Sequence, residues 1–427
     1  MRTILVLILL AACGGGASPG APDASSQPDA AIDGASGCPA GKAGAACVLA
    51  LHDAAIAGCD VTAVAELRTE LDERADLGPL WADGRALFRT DSPASIAGDF
   101  NGWVDGALTT SAICSSDLVL AVGAVPTGYW MYKLVRNGAW SLDTDNPAFA
   151  FDDFAGNADG KNSVLATPDS NRGYLVTLDR ACSTALGNCR EVTAYLPAGY
   201  DALANVDRRY PVLFMHDGQN VWDDHDCCFG HTGWEVNVAL DAEIAAGRVT
   251  PVIVIAAAQS GARNDEYGLS ATKLAAFIDF QVSELQPQAL AQVRWDGARV
   301  AVAGSSLGGL VSMHLALGYP QTYASGASLS GAFWPGKNDG TALRDRLPGF
   351  GKKPVAIYLD HGGNPATNSD GAADTLEVRD IMLDLGWSTT CTVGADALCY
   401  HSAPGATHDE LAWKERTPLF LRFLFPR

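Results

Sequence analysis

The sequence predicts an α/β fold, a doubly wound and mostly parallel sheet over residues 174–427, preceded by an all-β sandwich. Continuous apolar runs that alternate with amphipathic helical stretches carry the first part of this prediction. These runs are PVLFMHDG, PVIVIAA, VAVAG and PVAIYLD. Short alternating segments between Gly, Asn and Asp turns over residues 79–168 predict the sandwich.

Length and composition set the class of protein. The chain has 427 residues, of which 48% are hydrophobic and 18% charged, a globular composition with room for more than one core. Its net charge of −20 argues against a nucleic-acid partner, because binding to phosphates needs clustered Lys and Arg.

The first residues, MRTILVLILLAAC, are typical of a targeting signal. Arg2 provides the positive start, and the apolar run that follows is too short to span a bilayer. We therefore predict a signal peptide over residues 1–12. The end LAAC resembles a bacterial lipobox, so we predict lipidation at Cys13, although an ordinary signal peptide with a chance cysteine is the alternative. Residues 13–37, rich in Gly, Ala, Ser, Pro and Asp, are predicted to form a flexible tether. The predicted location is outside the cytoplasm, lipid-anchored to a bacterial membrane on its periplasmic or cell-surface face.

Cysteine usage agrees with export. The chain has 11 cysteines, which leaves an even number without Cys13, and an oxidising compartment favours disulfides. Cys227 and Cys228 are adjacent, so a vicinal disulfide is possible. We predict two disulfides that each close a short loop, one between Cys182 and Cys189 and one between Cys391 and Cys399. The pairing of four others stays open, and these are Cys38, Cys47, Cys59 and Cys114. No Cys/His spacing is that of a zinc site, and we predict neither a metal nor a cofactor.

Residues 38–78 are predicted to form a small helical segment, because apolar residues recur there at helical spacing. We assign no chemistry to this segment.

The sandwich segment carries its own motifs, IAGDFNGW, YWMYKLVRNGAW, DTDNP and GKNSV. With these motifs residues 79–168 resemble the early-set immunoglobulin-like domain of the glycogen-binding type. The resemblance implies a sugar-binding platform of Trp103, Lys133 and Trp140, since sugar faces stack on indoles. The alternative is that these side chains only brace the sandwich.

The motif GSSLG at residues 304–308 joins a buried strand to a helix. That setting is the one in which a strained turn presents a serine as a nucleophile, and Ser306 is the central residue of the motif. The oxyanion would need two backbone amides, for which we predict Leu307 and, in the HDGQN turn, Gln219.

A nucleophilic serine needs a base and an acid. His408 lies in a polar loop before the last helix and is the predicted base, with His401 as the alternative. The acid should follow the PVAIYLD strand. We predict Asp370, with Asp360 as the alternative acid and Asp374 as the N-cap of the next helix.

Six segments in order, from PVLFMHDGQNVWDD to HDELAWKERTPLFLRFLF, resemble the esterase D / enterochelin esterase-like family of α/β-hydrolases. The resemblance implies a serine ester hydrolase without a metal, and an R-x-x-E-Y element that lines or braces the site. Here that element is Arg263, Glu266 and Tyr267, and Trp222 is a further residue expected to line the site. The acid loop GGNPATNSDGAAD is longer than is usual in the family, which leaves the identity of the acid open.

Together these features predict an exported serine carboxylic ester hydrolase that acts on acyl esters of polysaccharides, such as feruloyl or acetyl esters. Its partners would be a small-molecule or polysaccharide-linked ester and a membrane, through Cys13. The alternatives are a siderophore-type esterase, an acyl transferase and, as a non-enzyme, a surface carbohydrate-binding protein.

Overall fold

The computed structural model describes residues 38–39, 41–73, 78–152, 160–225, 227–228 and 231–427. The predicted signal peptide, Cys13 and the predicted tether lie outside these residues. Among the described helices, none is long and apolar enough to cross a membrane.

Two helices form the segment before the sheets, α1 (Gly44–Gly58) and α2 (Val61–Asp72). Asp60 caps α2, because its carboxylate accepts hydrogen bonds from the backbone amides of the first turn. Disulfides Cys38–Cys47 and Cys59–Cys114 tie the segment to itself and to the sheet beyond. The structure thus pairs the four cysteines whose partners the sequence left open.

Nine strands follow, and they make two antiparallel layers. The strands are β1 (Leu80–Ala82), β2 (Arg85–Thr90), β3 (Ser95–Gly98), β4 (Ser111–Ala112), β5 (Val119–Ala124), β6 (Tyr129–Arg136), β7 (Ala139–Ser141), β8 (Ala148–Phe151) and β9 (Lys161–Ala166). One layer has the order β1-β2-β5-β4, and the other contains β3, β6, β9 and β8, with β7 beside β6. Phe88 and Tyr132 meet between the layers, whereas Leu87 of the same strand as Phe88 faces α1 and α2. Since successive side chains of a strand point to opposite faces, β2 contributes to two cores.

A hairpin connects these layers to the rest of the molecule. It consists of β10 (Tyr174–Ser183) and β11 (Asn188–Leu196), with Cys182 directly opposite Cys189 and bonded to it. Strand β10 also pairs with β8, so a single sheet of 14 strands runs from the predicted sandwich into the α/β part. This shared sheet was not anticipated from the sequence.

The α/β part alternates strands and helices. Its elements are β12 (Val212–Met215), α3 (Val236–Ala245), β13 (Ile253–Ala257), α4 (Ala271–Phe280), α5 (Gln286–Leu290), β14 (Val300–Ser305), α6 (Ser306–Gly318), β15 (Tyr323–Leu329), α7 (Leu343–Phe350), β16 (Ala356–His361), α8 (Ala372–Asp384), β17 (Ser388–Thr389), β18 (Ala397–Ser402) and α9 (Glu410–Leu424). The strand order is β17-β18-β16-β15-β14-β12-β13-β11-β10. Every pair from β17 to β13 is parallel, and only the pairs that involve β11 are antiparallel in this region. The predicted mostly parallel sheet is therefore present.

Helices cover both faces of this sheet. Along β14, Val300 and Val302 contribute to the core under α4, α6, α7 and α8, whereas Ala301 and Ala303 contribute to the core under α3 and α9. A strand buried on both faces needs a continuous apolar run, which is what the sequence has there. Since neighbouring strands are parallel, their carboxyl ends lie along one edge, where the connecting loops meet.

Candidate active site

Ser306 lies at the sharp junction between β14 and α6. Its φ is 53°, in the left-handed region that a residue with a Cβ rarely adopts. The backbone carbonyl of Ser306 accepts a hydrogen bond from the amide of Ala332 at 2.9 Å, which ties the turn to the loop after β15. The residue itself is half-buried, whereas the preceding Ser305 is buried. The strained turn therefore presents Ser306 and withdraws Ser305.

The glycines of this turn are required by close packing. A Cβ on Gly304 would lie 2.6 Å from the backbone of Gly308. A Cβ on Gly309 would lie 2.4 Å from the Ser328 hydroxyl. Any larger residue at these positions would push the strand and the helix apart.

His408 and Asp370 are in direct contact. The Nδ1 atom of His408 lies 2.5 Å from Oδ1 of Asp370. The His408 side chain is 42% exposed, whereas that of Asp370 is 2% exposed. The alternative base, His401, lies within β18, where burial lowers its pKa.

The other two candidate acids lie elsewhere. Asp360 lies within β16, which is buried throughout, and forms an ion pair with Arg416 at 3.1 Å. Burial raises the pKa of Asp360 to about 6, against the opposing pull of Arg416. The sequence predicted Asp374 as the N-cap of α8, and this prediction is wrong. The cap is Gly371, and Asp374 is buried in the first turn as the partner of Lys337.

A hydrogen-bonded cluster holds Asp370 from behind, and its central residue was not singled out from the sequence. The Ser330 hydroxyl, just after β15, lies 2.6 Å from Oδ2 of Asp370. The same hydroxyl accepts from Nε1 of Trp413 at 3.0 Å and from Nη2 of Arg416 at 2.7 Å. The amide of Gly362 also donates to Oδ2 of Asp370. The available signal was the position of Ser330 directly after a strand next to β14.

The predicted triad residues follow the carboxyl ends of three parallel strands of one sheet. Ser306 follows β14, Asp370 lies beyond β16, and His408 lies beyond β18. The structure records no hydrogen bond between Ser306 and His408, a contact that often tightens only when substrate is bound. A cleft of about 740 Å³ opens beside His408 and Asp370, with Ser402 and Thr407 on its wall.

The two predicted oxyanion residues also lie at this edge. Leu307 is the second residue of α6, where first-turn amides have no acceptor within the helix. Gln219 follows β12, the parallel neighbour of β14, in a short 3₁₀ turn over Gly218–Asn220. A Cβ on Gly218 would lie 2.7 Å from the backbone of Ala257, so only glycine lets this turn pack against β13.

Most of the residues expected to line the site are buried beneath it. Glu266 has no exposed surface and forms an ion pair with Arg190 at 2.6 Å, while Tyr267 and Trp222 are each 1% exposed. Burial alone would raise the pKa of Glu266, but hydrogen bonds from Arg190 and Ser260 outweigh it and leave the pKa below its usual value. Because these three side chains are buried, we expect them to brace the site and not to line it.

Arg263 is the remaining member of the R-x-x-E-Y element. Its guanidinium makes two hydrogen bonds of 2.6 Å to Asp217, which follows β12 with a φ of 59°. Because this fork holds a strained residue next to Gly218, it fixes the turn that carries Gln219.

The predicted sugar platform is only partly at the surface. Trp103 and Trp140 form a tilted pair with ring centroids 6.3 Å apart, and Trp140 is 46% exposed. Lys133, in contrast, is 6% exposed. Of the three side chains, Trp140 is therefore exposed, Trp103 is half-buried and Lys133 is buried.

Comparison with known proteins supplies a family. Residues 183–418 match the model of the Esterase family, described as "Putative esterase". A curated relative, the iron(III) enterobactin esterase of Dickeya dadantii (strain 3937), is 32% identical over 177 residues, which cover 40% of this chain and 36% of that protein. The chain thus aligns with about a third of the length of this relative.

Two solved structures are also similar. A ferulic acid esterase has 18% identity and a TM-score of 0.44, and the match covers 60% of this chain and 98% of that one. The enterobactin esterase of Shigella flexneri, in the presence of 2,3-dihydroxy-N-benzoyl-glycine, has 16% identity and a TM-score of 0.42, and the match covers 81% of this chain and 96% of that one.

Proposed function

The chain belongs to the Esterase family, and we propose that it is a carboxylic ester hydrolase with Ser306, His408 and Asp370 as its catalytic triad. One observation carries this proposal. The His408–Asp370 pair, 2.5 Å apart, lies at the same sheet edge as the strained turn of Ser306. Acyl transfer by serine requires these three groups in these roles.

Each residue has a defined part in the proposed reaction. The Nδ1–H of His408 donates a hydrogen bond to Asp370. In this tautomer Nε2 carries no hydrogen and can accept a proton. Ser306 Oγ attacks the ester carbonyl carbon while Nε2 takes the hydroxyl proton. The same proton then goes to the leaving alkoxide, and the alcohol departs. In the second step Nε2 takes a proton from water, and the resulting hydroxide attacks the acyl carbon. The bond from that carbon to Ser306 Oγ breaks, Oγ takes the proton back from Nε2, and the acid departs.

The negative charge of each tetrahedral intermediate would be stabilised by backbone amides. We propose the amides of Leu307 and Gln219, which stand at the ends of neighbouring strands. The Arg263–Asp217 fork would keep the second turn in place. Fixed amide dipoles need no reorganisation during the reaction, which is why such a site is effective.

Hydrolysis of p-nitrophenyl acetate and methyl ferulate tests the triad. Ser306→Ala should lower kcat by about 10,000-fold or more, since the nucleophile is lost. Ser305→Ala is the matched control, because it removes the adjacent hydroxyl from a buried position. It should stay within a few-fold of the unmodified protein. Full esterase activity in Ser306→Ala would overturn the proposal.

For the substrate we propose acyl esters of polysaccharides, such as feruloyl or acetyl esters. The Trp103–Trp140 pair, of which Trp140 is exposed, supports this, as does the resemblance of residues 79–168 to early-set immunoglobulin-like domains of the glycogen-binding type. Affinity electrophoresis in polysaccharide gels measures the interaction. Trp140→Ala should abolish retardation, while Ile56→Ala, which shortens an exposed apolar side chain on α1, should not. Equal retardation of all three proteins would refute sugar binding by this pair.

A siderophore ester is the second candidate substrate, because the curated relative is an iron(III) enterobactin esterase. Comparing kcat/KM for enterobactin and for feruloylated oligosaccharide decides between the two. A higher value for enterobactin would replace the polysaccharide proposal.

Product analysis with added alcohol acceptors tests the acyl transferase alternative. Acyl transfer would appear as new esters of the added alcohol.

We also propose that the protein is exported and lipid-anchored at Cys13. Five disulfides among the described residues support an oxidising compartment. Metabolic labelling with an alkyne fatty acid should mark the unmodified protein and not Cys13→Ser. Equal labelling of both would refute anchoring at this residue.

A further inference from the structure

We propose that the Ser330 hydroxyl positions the triad acid. We further propose that Trp413 and Arg416 of helix α9 fix the orientation of this hydroxyl. This inference rests on the triad proposed above and concerns a residue that contacts no reacting atom. Its basis is the hydrogen-bonded cluster around Oδ2 of Asp370.

The direction of each hydrogen bond in this cluster is determined by chemistry. An indole and a guanidinium are donors only, so Trp413 Nε1 and Arg416 Nη2 must both donate to the Ser330 hydroxyl. A hydroxyl has two acceptor sites and one hydrogen. Both acceptor sites are therefore occupied, and the hydrogen is left for Asp370, 2.6 Å away.

This donation selects which oxygen of Asp370 faces the base. Oδ2 receives the Ser330 hydroxyl and the Gly362 amide, so Oδ1 remains for Nδ1 of His408. The carboxylate is 2% exposed, so no bulk water competes for these positions. Without Ser330, one of the donors that hold Oδ2 is lost and the carboxylate can rotate.

Helix α9 connects this arrangement to the base. Trp413 and Arg416 are three residues apart and lie on one face of the helix. The helix begins two residues after His408, with Asp409 as its N-cap, and the Trp413 ring packs edge-on against His408 with centroids 5.1 Å apart. One rigid element thus holds the base directly and the acid through Ser330.

The backbone of Ser330 is itself held in a costly conformation. Its φ is 48°, and its amide donates to the carbonyl of Asp360 at 3.0 Å. Non-glycine residues persist in this region only when their surroundings impose it. The strain places the hydroxyl where the side chains of α9 and Asp370 converge.

Ser330→Ala tests the proposal. We expect kcat to fall about 10- to 100-fold with KM unchanged. A less firmly held Asp370 orients His408 less well for proton transfer, which belongs to the chemical step and not to substrate binding. The downfield proton resonance of His408 Nδ1 should broaden or disappear. A purely structural role would lower the amount of folded enzyme and would leave kcat per folded active site and this resonance unchanged.

Ser330→Gly guards against misfolding of the alanine variant, because glycine adopts a φ of 48° without strain and also lacks the hydroxyl. It should show the same loss of kcat. Ser328→Ala is the matched control, since Ser328 is a buried serine of the same strand region whose hydroxyl has no hydrogen-bond partner among the described residues. It should retain kcat within about twofold, the range expected where no hydrogen bond is lost.

A fluorophosphonate probe distinguishes failure of the proposed triad from failure of the positioning role of Ser330. Labelling of the unmodified protein, and not of Ser306→Ala, upholds the triad whatever Ser330 does. If labelling behaves so and both Ser330 variants keep full kcat, the positioning role is refuted alone. If Ser306→Ala is labelled as well, the proposed function fails first.

Discussion

Asp370→Asn tests the proposed acid with almost no change of shape. The substitution replaces one carboxylate oxygen by an NH₂ group, so the side chain has one acceptor and one donor end. In the structure the Oδ2 position faces two donors, the Ser330 hydroxyl and the Gly362 amide. The amide oxygen must take that position, because a backbone N–H cannot turn away. The NH₂ group is then directed at Nδ1 of His408.

This orientation determines the size of the effect. Facing a donor, Nδ1 of His408 must become the acceptor, so the hydrogen moves to Nε2 and the imidazole can no longer accept the Ser306 proton. Loss of the correct tautomer in a serine triad lowers kcat by about 10,000-fold, equivalent to about 5 kcal/mol in activation free energy. The volume of the side chain and its hydrogen-bond count stay the same, so the midpoint of thermal unfolding should change little.

Steady-state hydrolysis of p-nitrophenyl acetate, with circular dichroism melting in parallel, measures both quantities. Asp374→Asn is the matched control, because Asp374 is also a buried carboxylate near the start of α8 but pairs with Lys337. It should affect stability more than kcat. If Asp370→Asn kept more than about a tenth of kcat while folded, the tautomer argument would be refuted.

Three further results are expected from the structure. Gly304→Ala should destabilise the protein by about 1–3 kcal/mol in urea unfolding, since its Cβ would lie 2.6 Å from the Gly308 backbone; unchanged stability would contradict the packing. Replacing Cys59 and Cys114 by serine should cost up to about 4 kcal/mol for the N-terminal layers, because the bridge closes a 55-residue separation, with small-ester hydrolysis retained. Burial lowers the pKa of His314 to about 3 from 6.5, so the unfolded state binds more protons below pH 6.5 and stability falls on acidification. At pH 5 this one group costs about 2 kcal/mol relative to neutral pH, so the loss of stability on acidification, measured by urea unfolding, should be smaller by about that amount in His314→Leu.

Much of the fold could be predicted because local patterns match local environments. The run before Gly304 is apolar at every position, which only a strand covered on both faces requires. Strand β2 faces two cores, and its apolar run ALF supplies side chains to both of them. The continuous sheet through β8 and β10 could not be predicted, because pairing between distant strands depends on their edges and not on their periodicity.

The candidate site divides in the same way. Ser306 and His408 occur in segments whose composition marks a strand-to-helix turn and a polar loop. Asp360 at the end of the PVAIYLD strand and Asp370 in the loop beyond it were both candidates, because the sequence does not show which carboxylate meets the histidine. Their partners separate them, since Asp360 pairs with Arg416 in the core and Asp370 contacts His408.

The sequence by itself determined the succession of strands and helices, the strand-to-helix turn at Ser306 and the cysteines available for disulfides, because these depend on neighbours along the chain. Only the tertiary structure decided which acid meets the base, which cysteines of the N-terminal set pair, and that Ser330 joins Asp370 to α9. Hydrogen bonds and burial join residues far apart in sequence, as from Ser330 to Arg416. No local pattern encodes those distances, since they result from the packing of the whole sheet and its helices.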